Sequence, residues 1–270
     1  MTLNDKFTTL KETLKAMDRV IIAYSGGVDS AFLLKAASLS GLGEVLAVTG
    51  ISGSLPQEEL SSAKDIALSL DVKHRTIITE ELADENYANN PPDRCYFCKK
   101  DLFGRLRKIA DAEKIPFILD GTNADDAKEW RPGRRAAAEE GVHSPLLDAG
   151  LSKNEIRELS RTLGLPTWDK PATPCLSSRF PYGQRITAEA LARVSRAESF
   201  IKKFGTRELR VRDHAEMARI EVRPEDFSIL TNDDARNKIV EFLKSLGYKY
   251  VTLDLQGFRS GSLNERNHIS

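Results

Sequence analysis

The sequence has few aromatic residues, few cysteines and no long apolar run. Aromatic residues make up 7% of the 270 positions, and no stretch approaches the roughly 20 apolar residues that a membrane span needs. The first fifteen residues are charged and lack the apolar core of a signal peptide. We therefore expect no membrane contact and a cytoplasmic location.

An excess of charge of one sign is also missing. Lysine plus arginine and aspartate plus glutamate number 40 each, so the formal net charge is zero. Nucleic-acid-binding proteins usually carry a basic field, and its absence disfavours a nucleic-acid partner while leaving room for a local basic patch. A chain of 270 residues is long enough for one large or two modest domains with a buried core.

Over residues 1–165, short apolar runs alternate with segments whose apolar residues recur at helical spacing. The runs predict strands at 20–23, 45–49, 73–79 and 115–119. The helical periods predict helices at 5–17, 31–37, 56–70 and 153–163. Ser152 and Glu155 form a capping box before the last of these helices. Strands that alternate with helices indicate an α/β fold with a doubly wound parallel sheet, which binds ligands at the carboxyl ends of its strands.

The pattern changes in the second part of the chain. Residues 166–186 contain four prolines and no helical period, which predicts a functional loop between two domains. Residues 187–270 predict a smaller C-terminal α+β domain. Its expected helices lie at 187–204 and 234–246, and its expected strands lie at 209–212, 217–222 and 248–255, the first two of them antiparallel and half-exposed.

The hexapeptide Ser25-Gly26-Gly27-Val28-Asp29-Ser30 lies between the first predicted strand and a predicted helix. Two glycines allow the backbone to approach a ligand closely, and the N–H groups and dipole of the following helix favour an anion. Phosphate fits this position, with Ser25 and Ser30 as hydroxyl donors and Asp29 as a ligand of phosphate-bound magnesium. The alternative is an ordinary strand–turn–helix corner with a polar loop.

This hexapeptide resembles the signature of the PP-loop ATP pyrophosphatases. It is neither a Walker loop, since no Gly-Lys-Ser/Thr closes it, nor the dinucleotide motif Gly-x-Gly-x-x-Gly. The resemblance implies an adenine nucleotide alpha hydrolase-like fold and an enzyme that uses ATP to adenylate an oxygen atom and releases pyrophosphate. Thr49 and Gly121, at two further predicted strand ends, complete the expected ATP site.

The cysteines are Cys95, Cys98 and Cys175. A small, odd number in a cytoplasmic chain disfavours a disulfide framework and favours metal binding or catalysis. Two thiols three positions apart can face one soft metal centre, and a three-cysteine iron–sulfur cluster keeps one iron open for exogenous sulfur. A zinc site with His74 or His143 as a distant fourth ligand is a second interpretation, and three unrelated buried cysteines are a third.

The segment around Cys175 carries a closer resemblance. Positive charge near a cysteine suits a nucleophile or a sulfur carrier, and Arg179 can instead pair with a substrate phosphate. The sequence resembles the LarE family in Cys-Leu-Ser-Ser-Arg-Phe-Pro-Tyr-Gly at 175–183, Leu-Asp-Gly-Thr-Asn at 119–123, Arg-Pro-Gly at 131–133 and Tyr-Val-Thr-Leu-Asp-Leu-Gln-Gly-Phe-Arg-Ser-Gly at 250–261. These segments span nearly the whole chain.

The LarE resemblance implies an ATP-dependent sulfurtransferase of nickel-pincer nucleotide biosynthesis. Such enzymes use ATP and magnesium to adenylate the carboxylates of pyridinium-3,5-biscarboxylic acid mononucleotide, and convert them to thiocarboxylates for the nickel-pincer cofactor of lactate racemase. Some members give up the sulfur of the cysteine that matches Cys175. Others relay sulfide from a donor through a 4Fe-4S cluster on three cysteines, and Cys95, Cys98 and Cys175 match this kind. The resemblance also implies a C-terminal domain for substrate binding and oligomerisation, in a trimer-based homo-oligomer such as a hexamer.

Charged residues of the C-terminal half form the last candidate group. Arg210 and Arg212 alternate along a predicted strand and share a face, which suits a phosphate or carboxylate unless that face is merely solvated. Glu198, Glu221 and Asp226 can gather as ligands of a hard cation. The LarE resemblance implies substrate-binding arginines and a divalent-cation site at these positions, with Asp226 the hardest to align.

Three other functions remain open from the sequence. A tRNA thiolase of the same superfamily shares the ATP loop and often the cysteines, although the balanced charge disfavours it. An ammonia-using ligase with ATP pyrophosphatase chemistry needs no three-cysteine set. A nucleotide sensor or assembly scaffold would bind ATP without releasing pyrophosphate.

Overall fold

The computed structural model describes residues 1–128, 131–171 and 173–259, which fall into two compact units. The first unit comprises Met1–Tyr87 and Asp93–Thr173, and the second comprises Ala88–Pro92 and the chain from Pro174 onward. The sequence pattern does not indicate that residues 88–92 belong with the C-terminal part. Within the described ranges, no helix is both long enough and apolar enough to cross a membrane.

The first unit is built around a parallel sheet. Its helices are α1 (Leu3–Met17), α2 (Val28–Leu39), α3 (Gln57–Ser69), α4 (Glu85–Ala88, which ends at the boundary), α5 (Arg94–Glu113), α6 (Gly133–Glu139), α7 (Pro145–Asp148) and α8 (Lys153–Thr162). Its strands are β1 (Arg19–Ala23), β2 (Glu44–Ile51), β3 (Lys73–Ile78) and β4 (Phe117–Leu119). The strands are parallel in the order β3-β2-β1-β4, which confirms the predicted doubly wound α/β fold.

Strand β1 is covered on both faces. Val20 and Ile22 pack in the core that includes α1, α2 and α8, whereas Ile21 packs in the core that includes α5 and α6. Successive residues of a strand point to opposite faces, so helices on both sides require the continuous apolar run seen in the sequence. The loop after β1 therefore leaves the sheet at the edge where parallel sheets bind their ligands.

Strand β3 has no fully buried residue, in contrast to β1, β2 and β4. Ile77 packs against the core on the α5 side, and Ile78 is 71% exposed. β3 is the edge strand of the sheet, and an edge position leaves part of the strand uncovered by the flanking helices. Ile78 is exposed for this reason.

Helix α5 lies where the sequence pattern predicts no helix. It spans 20 residues and buries Tyr96, Phe103, Leu106 and Ala110 along one face. Asp93 is a residue type favoured at helix starts, but position 96 is Tyr, so the sequence lacks the capping box that identified α8. At α8 the predicted capping box is confirmed, because Ser152 accepts from the backbone of Glu155 and the Glu155 side chain accepts from the backbone of Ser152.

The second unit contains a small mixed sheet. Its elements are α9 (Ala188–Lys202), β5 (Leu209–His214), β6 (Met217–Val222), α10 (Phe227–Thr231), α11 (Asp233–Ser245) and β7 (Tyr250–Leu253). Strands β5 and β6 are antiparallel, as predicted, and β6 pairs with β7 in parallel across the α10–α11 connection. The expectation of a half-exposed β5 was wrong, because its first five residues are buried, arginines included.

Residues 88–92 join the second unit through backbone contacts. Ile186 donates to the carbonyl of Ala88 at 2.8 Å, and Gly183 donates to the carbonyl of Asn90 at 3.0 Å. The Asn90 side chain donates to the carbonyl of Pro181 at 2.7 Å. The chain therefore leaves the second unit immediately before α5 begins.

Candidate functional site

The loop of residues 25–27 connects β1 to α2 at the carboxyl edge of the sheet. The backbone N–H of Tyr24 donates to Val48 at 2.8 Å, which extends the β1–β2 pairing up to the loop. Gly27 is the N-cap of α2, and no side chain caps that helix end. Because the first N–H groups of a helix have no intrahelical acceptor, this end of α2 can accept an anion.

Ser25 of the loop and Ser30 in the first turn of α2 face each other. The hydroxyls of Ser25 and Ser30 lie 3.1 Å apart, and the backbone N–H of Ser25 donates to the Ser30 hydroxyl at 3.3 Å. The N–H of Gly27 makes only a long 3.4 Å bond to the Ser25 hydroxyl. The loop thus gathers hydroxyl and N–H donors at one helix end.

Two glycines are required by close packing around the loop. Gly26 has φ +71°, and a β-carbon there would lie 2.7 Å from the β-carbon of Ala63 on α3. A β-carbon at Gly121, just after β4, would lie 3.0 Å from the backbone nitrogen of Ser30. The glycines therefore let α3 and the β4 end approach the loop, a role that the sequence pattern does not reveal.

We expect Gly26→Ala to lower the free energy of unfolding by roughly 2–4 kcal/mol, because it combines left-handed backbone strain with a clash against Ala63. Gly41→Ala is the matched control, since Gly41 has φ +68° and a β-carbon added there would have no atom within 4 Å. It should cost only about 1–2 kcal/mol. Urea denaturation of both variants checks the difference, and equal losses would contradict the contact with Ala63.

Asp29 lies in the first turn of α2 between a cation and an amide. Its carboxylate forms an ion pair with the ammonium of Lys153, the first residue of α8. The side-chain amide of Asn123 donates to the other carboxylate oxygen at 3.4 Å. The sequence pattern did not identify Lys153 as a site residue. Its position directly after the Ser152 cap is the sequence feature that could have identified it. The arrangement brings an acidic and a basic group to the loop, which suits a phosphate that carries a metal ion.

Thr49 occupies a more interior position in β2. Its hydroxyl donates to the carbonyl of Tyr24 at 2.7 Å and lies 2.8 Å from Nε2 of His74. Burial, helped by the positive charge of Lys64, lowers the pKa of His74. The Thr49 hydroxyl thus holds the sheet together beneath the loop.

The cysteines are placed in both units. Cys95 is exposed in the first turn of α5, and Cys98 is half-buried one turn later. Cys175 is exposed in the second unit, just before the short 3₁₀ turn Leu176–Arg179. The interpretation of all three as buried core residues is therefore wrong. Among the described residues, no three or more His, Cys, Asp or Glu side chains are assembled as a metal site.

In the second unit, the predicted arginines and glutamates form ion pairs with one another. Arg179 binds Glu198 through two bonds of 2.8 and 2.9 Å, and Arg212 binds Glu221 through two bonds of 3.0 and 2.9 Å. All four residues are buried. Asp226 ends the 3₁₀ turn Pro224–Asp226, where its backbone N–H donates to the carbonyl of Arg223 at 2.9 Å.

Arg179 also connects this pair to the cysteine loop. Its guanidinium donates to the backbone carbonyls of Pro174 at 2.8 Å and Cys175 at 3.2 Å. The buried Glu198 carboxylate fixes the guanidinium from the other side. Arg179 therefore holds the backbone at Cys175, a role distinct from the phosphate contact that the sequence suggested.

Arg210 differs from its neighbours. It is buried, and its guanidinium lies 4.8 Å from the ring centre of Phe258. Burial, followed by the charges of Arg179 and Arg212, lowers the pKa of Arg210 to about 10. In the part of the chain that the structure describes, no ion pair joins Arg210 to a carboxylate. A bound anion would stabilise this cation, and the interpretation of a solvated strand face is wrong because Arg210 is only 6% exposed.

The structure leaves part of the expected motifs undescribed. The segment 250–261 is described up to Arg259, so Ser260 and Gly261 lie outside the described residues, as do Ala172 in the loop 166–186 and the rest of the C-terminal segment to residue 270. Arg131 of the Arg-Pro-Gly motif pairs with Asp126 at 2.7 Å. Gly133 lies against the first turn of α5, where a β-carbon would be 3.5 Å from the carbonyl of Cys95.

Comparison with known proteins gives three informative similarities. The chain is 45% identical to an uncharacterised Synechocystis protein over 97% of its length and 98% of that protein. It is 39% identical to the pyridinium-3,5-bisthiocarboxylic acid mononucleotide synthase of Lactiplantibacillus plantarum, over 98% of the chain and 95% of the synthase. The structure of NMN synthetase from Francisella tularensis matches with a TM-score of 0.53 and 19% identity, over 64% of this chain and 76% of that one, which shows the fold alone. No protein-family model matches the chain.

Proposed function

Because the chain belongs to the LarE family, that of the pyridinium-3,5-bisthiocarboxylic acid mononucleotide synthase, we propose that it is an ATP-dependent sulfurtransferase with the same product. It adenylates the carboxylates of pyridinium-3,5-biscarboxylic acid mononucleotide and converts them to thiocarboxylates. The observation that carries this proposal is a glycine–serine loop at the N-terminus of α2 in a chain that matches the synthase over nearly its full length.

The ATP loop accounts for the activation step. Gly27 and the first turn of α2 present N–H groups, and Ser25 and Ser30 present hydroxyls, to the pyrophosphate end of ATP. A substrate carboxylate oxygen attacks the α-phosphorus, and the bond from that phosphorus to the bridging oxygen breaks. Pyrophosphate leaves and an acyl-adenylate remains. The loop and Lys153 stabilise the charge that develops on pyrophosphate.

Magnesium fits the acidic side of this loop. Asp29 supplies a carboxylate, the hard oxygen ligand that magnesium prefers, next to the expected phosphates. The ion supplies charge neutralisation when bound. Asp29 and the phosphates themselves would hold it, and Lys153 would then exchange its carboxylate partner for a phosphate oxygen.

The cysteines account for the sulfur step. Cys95 and Cys98 lie one turn apart on α5, Cys95 and Cys175 are exposed, and thiolates are the ligands that iron–sulfur clusters take. Thiolate is therefore the donor type that a 4Fe-4S cluster needs, and the proposed ligands are Cys95, Cys98 and Cys175. The cluster supplies sulfide when bound. Arg179 holds the backbone of Cys175 whether this thiol is a cluster ligand or a single-use sulfur donor.

Arg210 is the proposed anchor for the substrate. The mononucleotide carries a phosphate and carboxylates, and a buried guanidinium without a carboxylate partner among the described residues suits either group. Arg179 and Arg212 support it with further positive charge, although Glu198 and Glu221 already pair with them. A divalent cation at Glu198, Glu221 and Asp226 is a separate proposal, which requires Glu198 and Glu221 to exchange arginine for metal.

We expect Arg210→Met to weaken binding of the pyridinium mononucleotide by about 10- to 100-fold, since a charge-assisted bond is lost. ATP binding should be unchanged. Calorimetric titration of each ligand measures both effects. Arg236→Met is the matched control, because Arg236 is an exposed arginine of the same unit that pairs with Asp233. Equal substrate affinity in all three proteins would contradict the role of Arg210.

The proposed function is tested by the products. Anaerobically purified protein is incubated with ATP, magnesium, sulfide and the biscarboxylate, and AMP, pyrophosphate and thiocarboxylate are quantified together. The proposal requires all three, with thiocarboxylate dependent on ATP. Amide formation from ammonium in place of thiocarboxylate would identify a ligase. A thiolated tRNA as the product would identify a tRNA thiolase.

Iron and acid-labile sulfide content decide between the two sulfur sources. Cluster-level iron in the wild type, lost in Cys98→Ala, is expected for the sulfide-relaying kind. Iron-free protein after reconstitution would leave Cys175 as the donor, and its mass would then drop by one sulfur during the reaction.

Light scattering tests the further proposal of a trimer-based homo-oligomer.

A further inference from the structure

Lys170 makes a contact with the ATP loop that the activation chemistry above does not use. Its ammonium donates to the backbone carbonyl of Gly26 at 3.2 Å and pairs with Glu59, on the first turn of α3, at 2.8 Å. The side chains of Lys170 and Glu59 are each 19% exposed. Lys170 thus bridges the loop to the helix that lies behind it.

The backbone around Lys170 is itself fixed. Arg157 of α8 donates to the carbonyl of Trp168 at 2.6 Å and to the carbonyl of Lys170 at 2.8 Å. The backbone N–H of Lys170 donates to Thr167 at 3.0 Å. Helix α8 also carries Lys153, whose ammonium binds Asp29. Two residues of this helix therefore support the loop, Lys153 directly and Arg157 through Lys170.

The bond to Gly26 determines where the N–H of Gly27 points. The carbonyl of Gly26 and the N–H of Gly27 belong to one planar peptide and point in opposite directions. A cation that holds the carbonyl on one side therefore directs the N–H to the other side. That N–H makes only the 3.4 Å bond to the Ser25 hydroxyl, so it can still donate to an anion.

This peptide needs such a restraint. It joins two glycines, and without β-carbons on either side it can rotate at little steric cost. A rotated peptide would present a carbonyl oxygen to the anion in place of an N–H, which exchanges attraction for repulsion. We propose that Lys170 is a positioning residue that holds the Gly26–Gly27 peptide with its N–H toward the pyrophosphate group of the nucleotide.

The proposal rests on the ATP role of the loop, and its test uses inorganic pyrophosphate with magnesium as the probe. Binding of pyrophosphate and of AMP is measured by calorimetry for wild type, Lys170→Met and Lys170→Arg. We expect Lys170→Met to weaken pyrophosphate binding about tenfold or more and to leave AMP binding unchanged. Lys170→Arg, which keeps a charged donor, should retain most of the affinity.

The control is Lys73→Met, which removes one exposed lysine charge from the same unit and should not change either affinity. Unchanged pyrophosphate binding in Lys170→Met would overturn the proposal. Equal losses for AMP and pyrophosphate would also overturn it, because they indicate general damage to the unit. These measurements require no thiocarboxylate product, so they are independent of whether the sulfur chemistry is as proposed.

A crystal structure of Lys170→Met separates positioning from direct contact with phosphate. We expect the Gly26–Gly27 peptide to be rotated or to occupy two orientations in the ligand-free variant. A peptide that keeps its wild-type orientation while pyrophosphate binding is lost would assign Lys170 as a direct phosphate ligand and overturn the positioning role. The structure of this variant is determined without a ligand. The orientation of the Gly26–Gly27 peptide can therefore be interpreted even if the loop binds a different anion.

Discussion

Replacing Asp29 by alanine is expected to reduce pyrophosphate release by about 10³-fold, which is the upper range for the loss of one electrostatic group at a reacting centre. The carboxylate is the acidic group in the first turn of α2, and its removal deprives a phosphate-bound magnesium ion of a ligand. It also leaves the ammonium of Lys153 without its ion-pair partner. Pyrophosphate release in the presence of ATP and the biscarboxylate is the measurement.

Two further variants test whether that loss is specific to the charge of Asp29. Asp29→Asn keeps the shape of the side chain and an oxygen that can accept from Lys153, but it removes the negative charge. A loss as large as that of Asp29→Ala would show that the charge of Asp29 acts on the metal ion or the phosphates. Asp65→Ala removes an acidic residue of the same unit, on α3, and should retain full activity. Pyrophosphate release by Asp29→Ala within about tenfold of wild type would contradict the role of Asp29.

Replacing Cys98 by alanine is expected to stop catalytic sulfur transfer while adenylation continues. Cys98 lies on α5, whereas the loop, the serines and Asp29 that serve the activation step belong to the β1–α2 connection and the first turn of α2. AMP and pyrophosphate should therefore form at near wild-type rates, and thiocarboxylate should fall to at most one turnover per chain. Parallel quantification of pyrophosphate and thiocarboxylate provides this test.

The control for Cys98→Ala is Lys108→Ala, an exposed substitution on the same helix, which should leave both products unchanged. Multiple turnovers of thiocarboxylate in Cys98→Ala would refute the role of this thiol. A single turnover accompanied by the loss of one sulfur from Cys175 would show that the exposed loop cysteine donates directly. Intact mass after the reaction distinguishes these outcomes.

Local patterns predicted the four strands of the first unit and its helices α1, α2, α3 and α8, but not α4 to α7. The run Val20–Ala23 requires cover on both faces, and the structure provides it with α2 on one side and α5 on the other. The capping box at Ser152 and Glu155 marked the start of α8 because both partners are close in sequence. Helix α5 was missed because no capping box marks its start, although Tyr96, Phe103, Leu106 and Ala110 recur at helical spacing along its buried face.

Charged residues were predicted less well than apolar ones. Arg212 and Glu221 were assigned to separate groups, one for substrate and one for metal, yet they pair across neighbouring strands β5 and β6. Arg210 is on the same strand as Arg212 but has no carboxylate partner among the described residues. A sequence specifies which residues carry charge, whereas the pairing of charges depends on strand register.

The sequence by itself determined the alternation of strands and helices, the position of the loop at residues 25–30 and the spacing of two thiols three positions apart, because each depends on neighbours within a few residues. Only the tertiary structure decided that Lys153 and Lys170 contact this loop from more than 120 residues away. It also decided that Gly26 must be a glycine, since Ala63 occupies the space of its side chain. Contacts between distant segments depend on how helices pack against the sheet, and no local spacing encodes that packing.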